Sequence, residues 1–132
     1  MTYQFEKSIE NGVIFVTAKL EGKHTFKMIL DTGASYTTID VTALYMAGYS
    51  IGNNLETDEV ETANGIVEVG ILKVDNLTAL GHTVNNIPIR VYDFIAHGIL
   101  TDYDGLLGLD FFDNTVLCID MKNNTIEVKQ GI

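Results

Sequence analysis

The sequence predicts an all-β fold in a single domain that spans residues 1–132. Three observations support this prediction. Val, Ile and Thr number 11, 14 and 14 among 132 residues, and such β-branched side chains favour strands over helices. Turn signals recur between short apolar runs, as expected for hairpins. With 46% hydrophobic and 20% charged residues, the chain has enough apolar surface for a core and does not match the composition of disordered proteins.

The first half of the chain predicts a hairpin, a short strand and a helix. A turn at Asn11-Gly12 leads into the first hairpin, whose two strands are joined by the tight connection Glu21-Gly22-Lys23. Asp40 is suited to cap the helix, and Gly48 is suited to end it. In order, we expect strands over 13–20, 24–30 and 37–39 and a helix over 41–47.

A second hairpin is predicted over residues 59–72, after a polar loop around 52–54. Asn64-Gly65 lies at its centre, and this dipeptide suits the two positive-φ positions of a type I′ turn. Alternating apolar and polar residues on both sides of the dipeptide indicate two paired strands.

The remaining elements are strands and one helical turn. Pro88, the only proline, predicts that its strand is an edge strand or is locally bulged. A last hairpin turns at 122–124. In order, we expect strands over 77–80 and 83–92, a helical turn over 110–113, and strands over 116–121 and 125–129.

The charge of the chain excludes several classes of partner. Eight basic and 18 acidic residues give a formal charge of −10 at pH 7. A protein this acidic is poorly suited to neutralise the phosphates of nucleic acid or to dock on an anionic membrane. No apolar run is long enough to cross a bilayer and no leader peptide is visible, so the expected location is the cytoplasm.

No cofactor or metal site is expected. The three histidines, His24, His82 and His97, are scattered, and each is predicted to be a surface or half-buried residue. Cys118 is the one cysteine, so an internal disulfide cannot form. Its apolar strand predicts a buried structural thiol.

The segment that could carry catalytic chemistry follows the second predicted strand. An apolar run leads to Asp31 and then to a turn of small residues, Thr32-Gly33-Ala34. By itself, Asp-Thr-Gly also fits an Asx turn, in which the carboxylate only binds nearby backbone amides. Further along the chain, Gly105 is followed by Leu106-Leu107-Gly108, just before the predicted helical turn.

This order of motifs resembles that of the retropepsin-like aspartic proteases. In that family a D-T-G-A loop is followed by a flap hairpin, and then by two hydrophobic residues and Gly before a helix. The tip Thr62-Ala63-Asn64-Gly65 is similar to that of the bacterial, single-domain branch. The resemblance covers most of the chain, and it implies a retropepsin-like half-barrel with one short helix after the apolar-Gly motif.

The resemblance also implies a role for each motif residue. Asp31 would be the catalytic carboxylate, Thr32 would bond to its twin loop, and the Gly33 amide would approach the carboxylates closely. Ala34 stands where pepsin-like enzymes have Ser. Behind this loop the resemblance places a support made of Leu106, Leu107 and Gly108.

The flap implied by the resemblance would bind an extended peptide through its backbone amides. Closing over the peptide would exclude water other than the attacking molecule. The flap residues would be Thr62, Ala63, Asn64, Gly65 and Ile66.

Only one Asp-Thr-Gly occurs in the chain, whereas aspartic proteolysis needs two carboxylates about 3 Å apart. Asp31 of a second chain would supply the other, so the resemblance implies a C2 homodimer. Retroviral enzymes hold the dimer with an Asp–Arg ion pair, but the matching positions here are Ser35 and Leu109.

The sequence is therefore compatible with two functions. The first is an aspartic endopeptidase that hydrolyses a peptide or protein substrate bound in an extended conformation. The alternative is a catalytically silent dimer of the same fold that acts as a peptide-binding or interaction module. The presence of Asp31, Thr32 and Gly33 favours the enzyme.

Overall fold

The computed structural model describes residues 1–8, 12–52, 55–99 and 101–131, so the predictions at Asn11, Asn53 and Asn54 lie outside the described residues. Within these ranges one α-helix, α1, spans Val41–Met46, and two 3-10 turns span Ile95–His97 and Leu109–Phe112. None of these helices has the length and apolar character needed to cross a bilayer. The strands are β1 (Thr2–Gln4), β2 (Glu6–Lys7), β3 (Ile14–Leu20), β4 (His24–Leu30), β5 (Thr38–Asp40), β6 (Glu56–Thr62), β7 (Gly65–Lys73), β8 (Asn76–Ala79), β9 (His82–Asn85), β10 (Pro88–Tyr92), β11 (Gly105–Leu107), β12 (Thr115–Asp120) and β13 (Thr125–Gln130).

The strands form two sheets. The large sheet has the order β6-β7-β10-β5-β11-β4-β3-β8-β9, with β2 paired to β3, and the small sheet has the order β1-β13-β12. One apolar core joins them: β3 buries alternate residues, Val16, Ala18 and Leu20, and packs with Phe111 of the second 3-10 turn and Ile126 of β13. The strand prediction from β-branched content is therefore confirmed.

At the centre of the large sheet, β11 lies between β4 and β5. It pairs in parallel with β4 and antiparallel with β5. The chain leaves β4 at Leu30, crosses the C-terminal end of β11 and returns in β5 at Thr38. Residues 31–37 therefore form a loop, here called the Asp31 loop, over the end of a buried strand.

The strand predicted over 83–92 is in fact two strands, β9 and β10. Asn86, at φ 56°, breaks the extended backbone between them. Pro88 starts β10, which lies between β7 and β5 inside the large sheet, so the prediction of an edge or bulged strand is wrong. The first residue of a strand tolerates proline.

The turn of the β6–β7 hairpin also differs from its prediction. Thr62 pairs with Gly65, so Ala63 and Asn64 are the turn residues. Gly65 has φ 115°, whereas neither turn residue is among the described residues with positive φ. A type I′ turn needs positive φ at both central positions, so that prediction is wrong.

The helical turn expected over 110–113 is present as a 3-10 turn over Leu109–Phe112. Two further predictions need correction. Asp40 precedes α1 but makes no side-chain cap, because its carboxylate accepts a bond from the Phe94 amide at 3.0 Å. Cys118 is exposed, because it projects with Val116 from the outer face of β12, away from the core.

Candidate functional site

Asp31 follows the last residue of β4, at the end of the large sheet where β11 also ends. Its backbone amide donates to the Leu107 carbonyl at 3.0 Å, which extends the pairing of Leu30 with Leu107 by one bond. The side chain is half-buried, whereas Thr32 and Gly33 are exposed. The sheet thus delivers one carboxylate to its rim with only partial access to solvent.

The Asp31 loop begins with an Asx turn. The Gly33 amide donates to Asp31 Oδ1 at 3.0 Å, and the Ala34 amide donates to the Asp31 carbonyl at 3.1 Å. An added Cβ at Gly33 would lie 3.3 Å from the same Oδ1. The turn fixes the carboxylate, and it is compatible with both interpretations of Asp-Thr-Gly.

The apolar-Gly motif supports this loop from below. Leu107 is fully buried, and Gly108 lies so close to the loop that a Cβ there would be 2.6 Å from the Tyr36 carbonyl carbon. The next amide, that of Leu109, donates to the Ala34 carbonyl at 2.8 Å. Any side chain at position 108 would push the loop away, so the glycine is required by contact.

Sequence reasoning missed a buried polar link beside this support. Thr37 is fully buried, and both its amide and its hydroxyl donate to Asp110 Oδ1 at 2.8 Å. The same hydroxyl accepts from the Gly108 amide at 3.1 Å. The available signal was Asp110 itself, a carboxylate between Leu109 and Phe111 in an otherwise apolar segment.

The β6–β7 hairpin covers a cavity of about 480 Å³ on one side of the loop. Its walls are mostly apolar, with Val60 and Val69 from the hairpin, Leu106 from β11, and the aromatic side chains of Tyr92 and Phe94. A cavity of this size and lining suits an apolar side chain of a ligand.

A second groove, of about 260 Å³, runs between the Asp31 loop and β6. The loop contributes Gly33, Ala34 and Tyr36 to its lining, β6 contributes Val60 and Thr62, and β11 contributes Leu106. β6 is the edge strand of the large sheet, so one side of its backbone pairs with β7 and the other has no neighbouring strand among the described residues.

The predicted flap residues divide into two groups. Thr62, Ala63 and Asn64 line the 480 Å³ cavity, whereas Gly65 and Ile66 do not. Ile66 is 70% exposed. The Thr62 hydroxyl links the turn by accepting from the Asn64 amide at 3.2 Å and donating to the Gly65 carbonyl at 2.9 Å.

Strand β6 carries four acidic residues. Glu56, Glu59 and Glu61 are exposed to solvent, whereas Asp58 is half-buried and paired with Arg90. Arg90 donates to this carboxylate and thereby lowers the pKa of Asp58 below its ordinary value. Arg90 is a second residue that sequence reasoning missed.

A family model described as "Aspartyl protease" matches residues 16–111, which include the Asp31 loop, the β6–β7 hairpin and the apolar-Gly motif. The crystal structure of a retropepsin-like aspartic protease from Rickettsia conorii is similar with a TM-score of 0.70 and 16% sequence identity, over 98% of this chain and 91% of that chain. None of the curated proteins matches the sequence. The chain belongs to the aspartyl protease family and has a retropepsin-like fold.

Proposed function

We propose that this protein is an aspartic endopeptidase that acts as a homodimer, with Asp31 of each chain in one shared site. The observation that carries the proposal is the Asp31 loop, which presents one half-buried carboxylate beside a groove bounded by β6. A twofold axis would place the second Asp31 opposite the first. Thr32 and Leu109, which is 47% exposed, remain available beside the loop to contact a second chain.

The two carboxylates would share one proton, because two like charges so close cannot both ionise. The charged carboxylate takes a proton from a water molecule, whose oxygen attacks the peptide carbonyl carbon, while the protonated carboxyl gives its proton to the carbonyl oxygen. In the resulting tetrahedral intermediate, the newly protonated carboxyl donates to the peptide nitrogen and the other carboxylate takes a proton from one hydroxyl. The C–N bond then breaks, which releases an amine and a carboxylic acid and restores the singly protonated pair. The roles belong to the pair, and neither is fixed to one chain.

The substrate would be an extended peptide that lies along the outer edge of β6. The backbone groups of this edge strand can pair with a peptide as with an added strand. The apolar 480 Å³ cavity beneath the β6–β7 hairpin would then take a side chain of the peptide, with the hairpin as the flap.

Cleavage of a mixed peptide library tests the proposal. Products are identified by mass spectrometry for the wild-type protein and for Asp31→Asn prepared in parallel. Cleavage that depends on Asp31 supports the enzyme. If a proven dimer cleaves nothing at any pH, and peptide binding survives Asp31→Asn, the protein is a binding module.

The rate of cleavage is expected to follow a bell-shaped curve against pH with a mildly acidic optimum. When both carboxylates are charged, no proton is available for the carbonyl oxygen; when both are protonated, no base remains for the water. Mild acid also reduces the repulsion between two chains of charge −10. The measurement is kcat/KM from acid to neutral pH, and a flat profile would contradict a shared proton.

Gly65→Val is expected to lower kcat/KM by about tenfold while changing stability little. At φ 115° a β-branched residue is strained, yet no atom lies within 4 Å of the position where its Cβ would be, so the damage stays in the turn. Peptide cleavage and thermal unfolding are the measurements.

Gly22→Val is the matched control for this variant. Gly22 also has positive φ, 70°, with nothing within 4 Å of an added Cβ. It precedes β4, whereas Asp31 follows that strand, so the seven residues of β4 separate the two by about 23 Å. If Gly65→Val keeps kcat/KM within about threefold of the control, the hairpin takes no part in catalysis.

A further inference from the structure

Arg90 is the only charged residue in the described part of the chain that is buried, with 8% exposure. It lies in β10 and pairs with Thr38 of β5 on one side and with Ile71 of β7 on the other. Its Nε is buried without a hydrogen-bond partner among the described residues. A buried cation is costly unless it is paired, so the groups that contact Arg90 matter for the stability of the segments to which they belong.

The register of the strands places the partner of Arg90 at the root of the hairpin. β7 pairs with β10 only over residues 70–73, so residues 65–69 extend beyond the body of the large sheet. Asp58 of β6 pairs with Val69, the first position of this free portion. An ion pair at Asp58 therefore acts where the hairpin leaves the sheet.

The guanidinium of Arg90 contacts two segments at once. Nη2 lies 3.0 Å from Asp58 Oδ2, and the guanidinium carbon lies 3.9 Å from the centre of the Tyr36 ring. Tyr36 belongs to the Asp31 loop and lines the groove beside β6. The planar guanidinium can serve both partners, one by a charge-assisted hydrogen bond and one by stacking.

We propose that Arg90 is a positioning residue that couples the root of the β6–β7 hairpin, through Asp58, to the Asp31 loop, through Tyr36. The catalytic part of this inference rests on the proposed function, since it treats the hairpin as the flap. While both contacts of Arg90 are made, the hairpin and the Asp31 loop are held in place together. Loss of either contact would loosen both segments.

The ionisation of Asp58 is consistent with this role. Because Arg90 lowers the pKa of Asp58, the ion pair is complete above the ordinary pKa of an aspartate and is lost only as pH falls through the lowered value. The pair therefore persists in the mildly acidic range in which cleavage is expected.

Amide hydrogen exchange of variants tests the coupling without any need for activity. Asp58→Asn removes the charge at the hairpin but leaves Tyr36 untouched, and Tyr36→Leu removes the ring but leaves Asp58 untouched. Each variant is expected to speed exchange by about tenfold in both the hairpin, over 59–67, and the loop, over 33–37. Exchange in β3 and β4 should stay within about twofold, which excludes general loosening of the fold.

Arg90→Met completes the experiment. It should speed amide exchange in the hairpin and the loop as much as each single variant does. Adding Asp58→Asn to Arg90→Met should bring no further increase in the exchange rate, since both substitutions remove the same ion pair. Lys73→Met is the matched control, because the Lys73–Glu56 pair, at 3.2 Å, is an exposed ion pair of the same hairpin and should contribute little. If Asp58→Asn speeds exchange in the hairpin while the exchange rate in the loop stays within about twofold of wild type, the ion pair acts only on the hairpin and the proposal is wrong.

A kinetic measurement then separates this inference from the proposed function. In an active enzyme Asp58→Asn should raise KM by about tenfold with kcat within about threefold, since a loosened flap weakens substrate and transition state alike. Asp58→Glu, which keeps the carboxylate, should restore KM. A KM that is unchanged in Asp58→Asn overturns the flap role, whereas an inactive wild-type protein overturns the proposed function and leaves the exchange result standing.

Discussion

Asp31→Asn is expected to reduce peptide cleavage by a factor of about 10⁴ or more, which corresponds to the loss of a central catalytic group. An amide cannot take a proton from water, and it cannot supply the acidic proton that the carbonyl oxygen needs. The change is otherwise small, because Asn Oδ1 can still accept the bond that the Gly33 amide donates at 3.0 Å. The loop should therefore keep its shape while chemistry stops.

Asp102→Asn is the control for this variant. Asp102 is 75% exposed and pairs with Lys27 at 3.3 Å, so its loss should change neither stability nor cleavage. Both variants are compared with the wild-type protein by thermal unfolding and by kcat/KM. Cleavage by purified Asp31→Asn above about 1% of the wild-type rate would show that Asp31 is not the catalytic residue.

Much of the site's frame could be predicted from local sequence signals. The strand that ends before Asp31 and the hairpin predicted over 59–72 both occur, the hairpin as β6 and β7. These features depend on patterns within one element or one turn, and sequence patterns report such constraints well. The place of Leu106-Leu107-Gly108 behind the loop came only from the family resemblance, because the approach of Gly108 to Tyr36 is a tertiary contact.

The sequence does not predict features that depend on tertiary contacts. Whether Asp58 faces solvent or a cation depends on the register of β6 against β7, which places it near Arg90 of a third strand. Cys118 is exposed because it lies on the outer face of β12, and its apolar sequence does not reveal which face packs on the core. Asn86 interrupts a continuous β-rich run only through its backbone angle.

The proposed dimer makes a second prediction, on mixtures of wild-type and variant chains. Mixing the wild-type protein with a ninefold excess of Asp31→Asn, after the subunits have exchanged, is expected to reduce cleavage to about one tenth of the value for the same amount of wild-type protein alone. Random pairing leaves about one dimer in a hundred with two wild-type chains, whereas one chain in ten is wild type. Only the dimer with two Asp31 carboxylates can share a proton between them.

Random pairing requires that the proposed dimer exchange its subunits, and two observations lead us to expect this. At the positions that the family resemblance matches to the retroviral Asp–Arg pair, this chain has Ser35 and Leu109, and two chains of charge −10 would repel each other. Cleavage by the wild-type protein should thus fall faster than its concentration on dilution, and added salt should oppose the fall. An equal excess of Asp102→Asn, which pairs normally and keeps Asp31, is the control, and it should add activity. If excess Asp31→Asn leaves cleavage by the wild-type chains unchanged, each chain acts alone and the shared site is wrong.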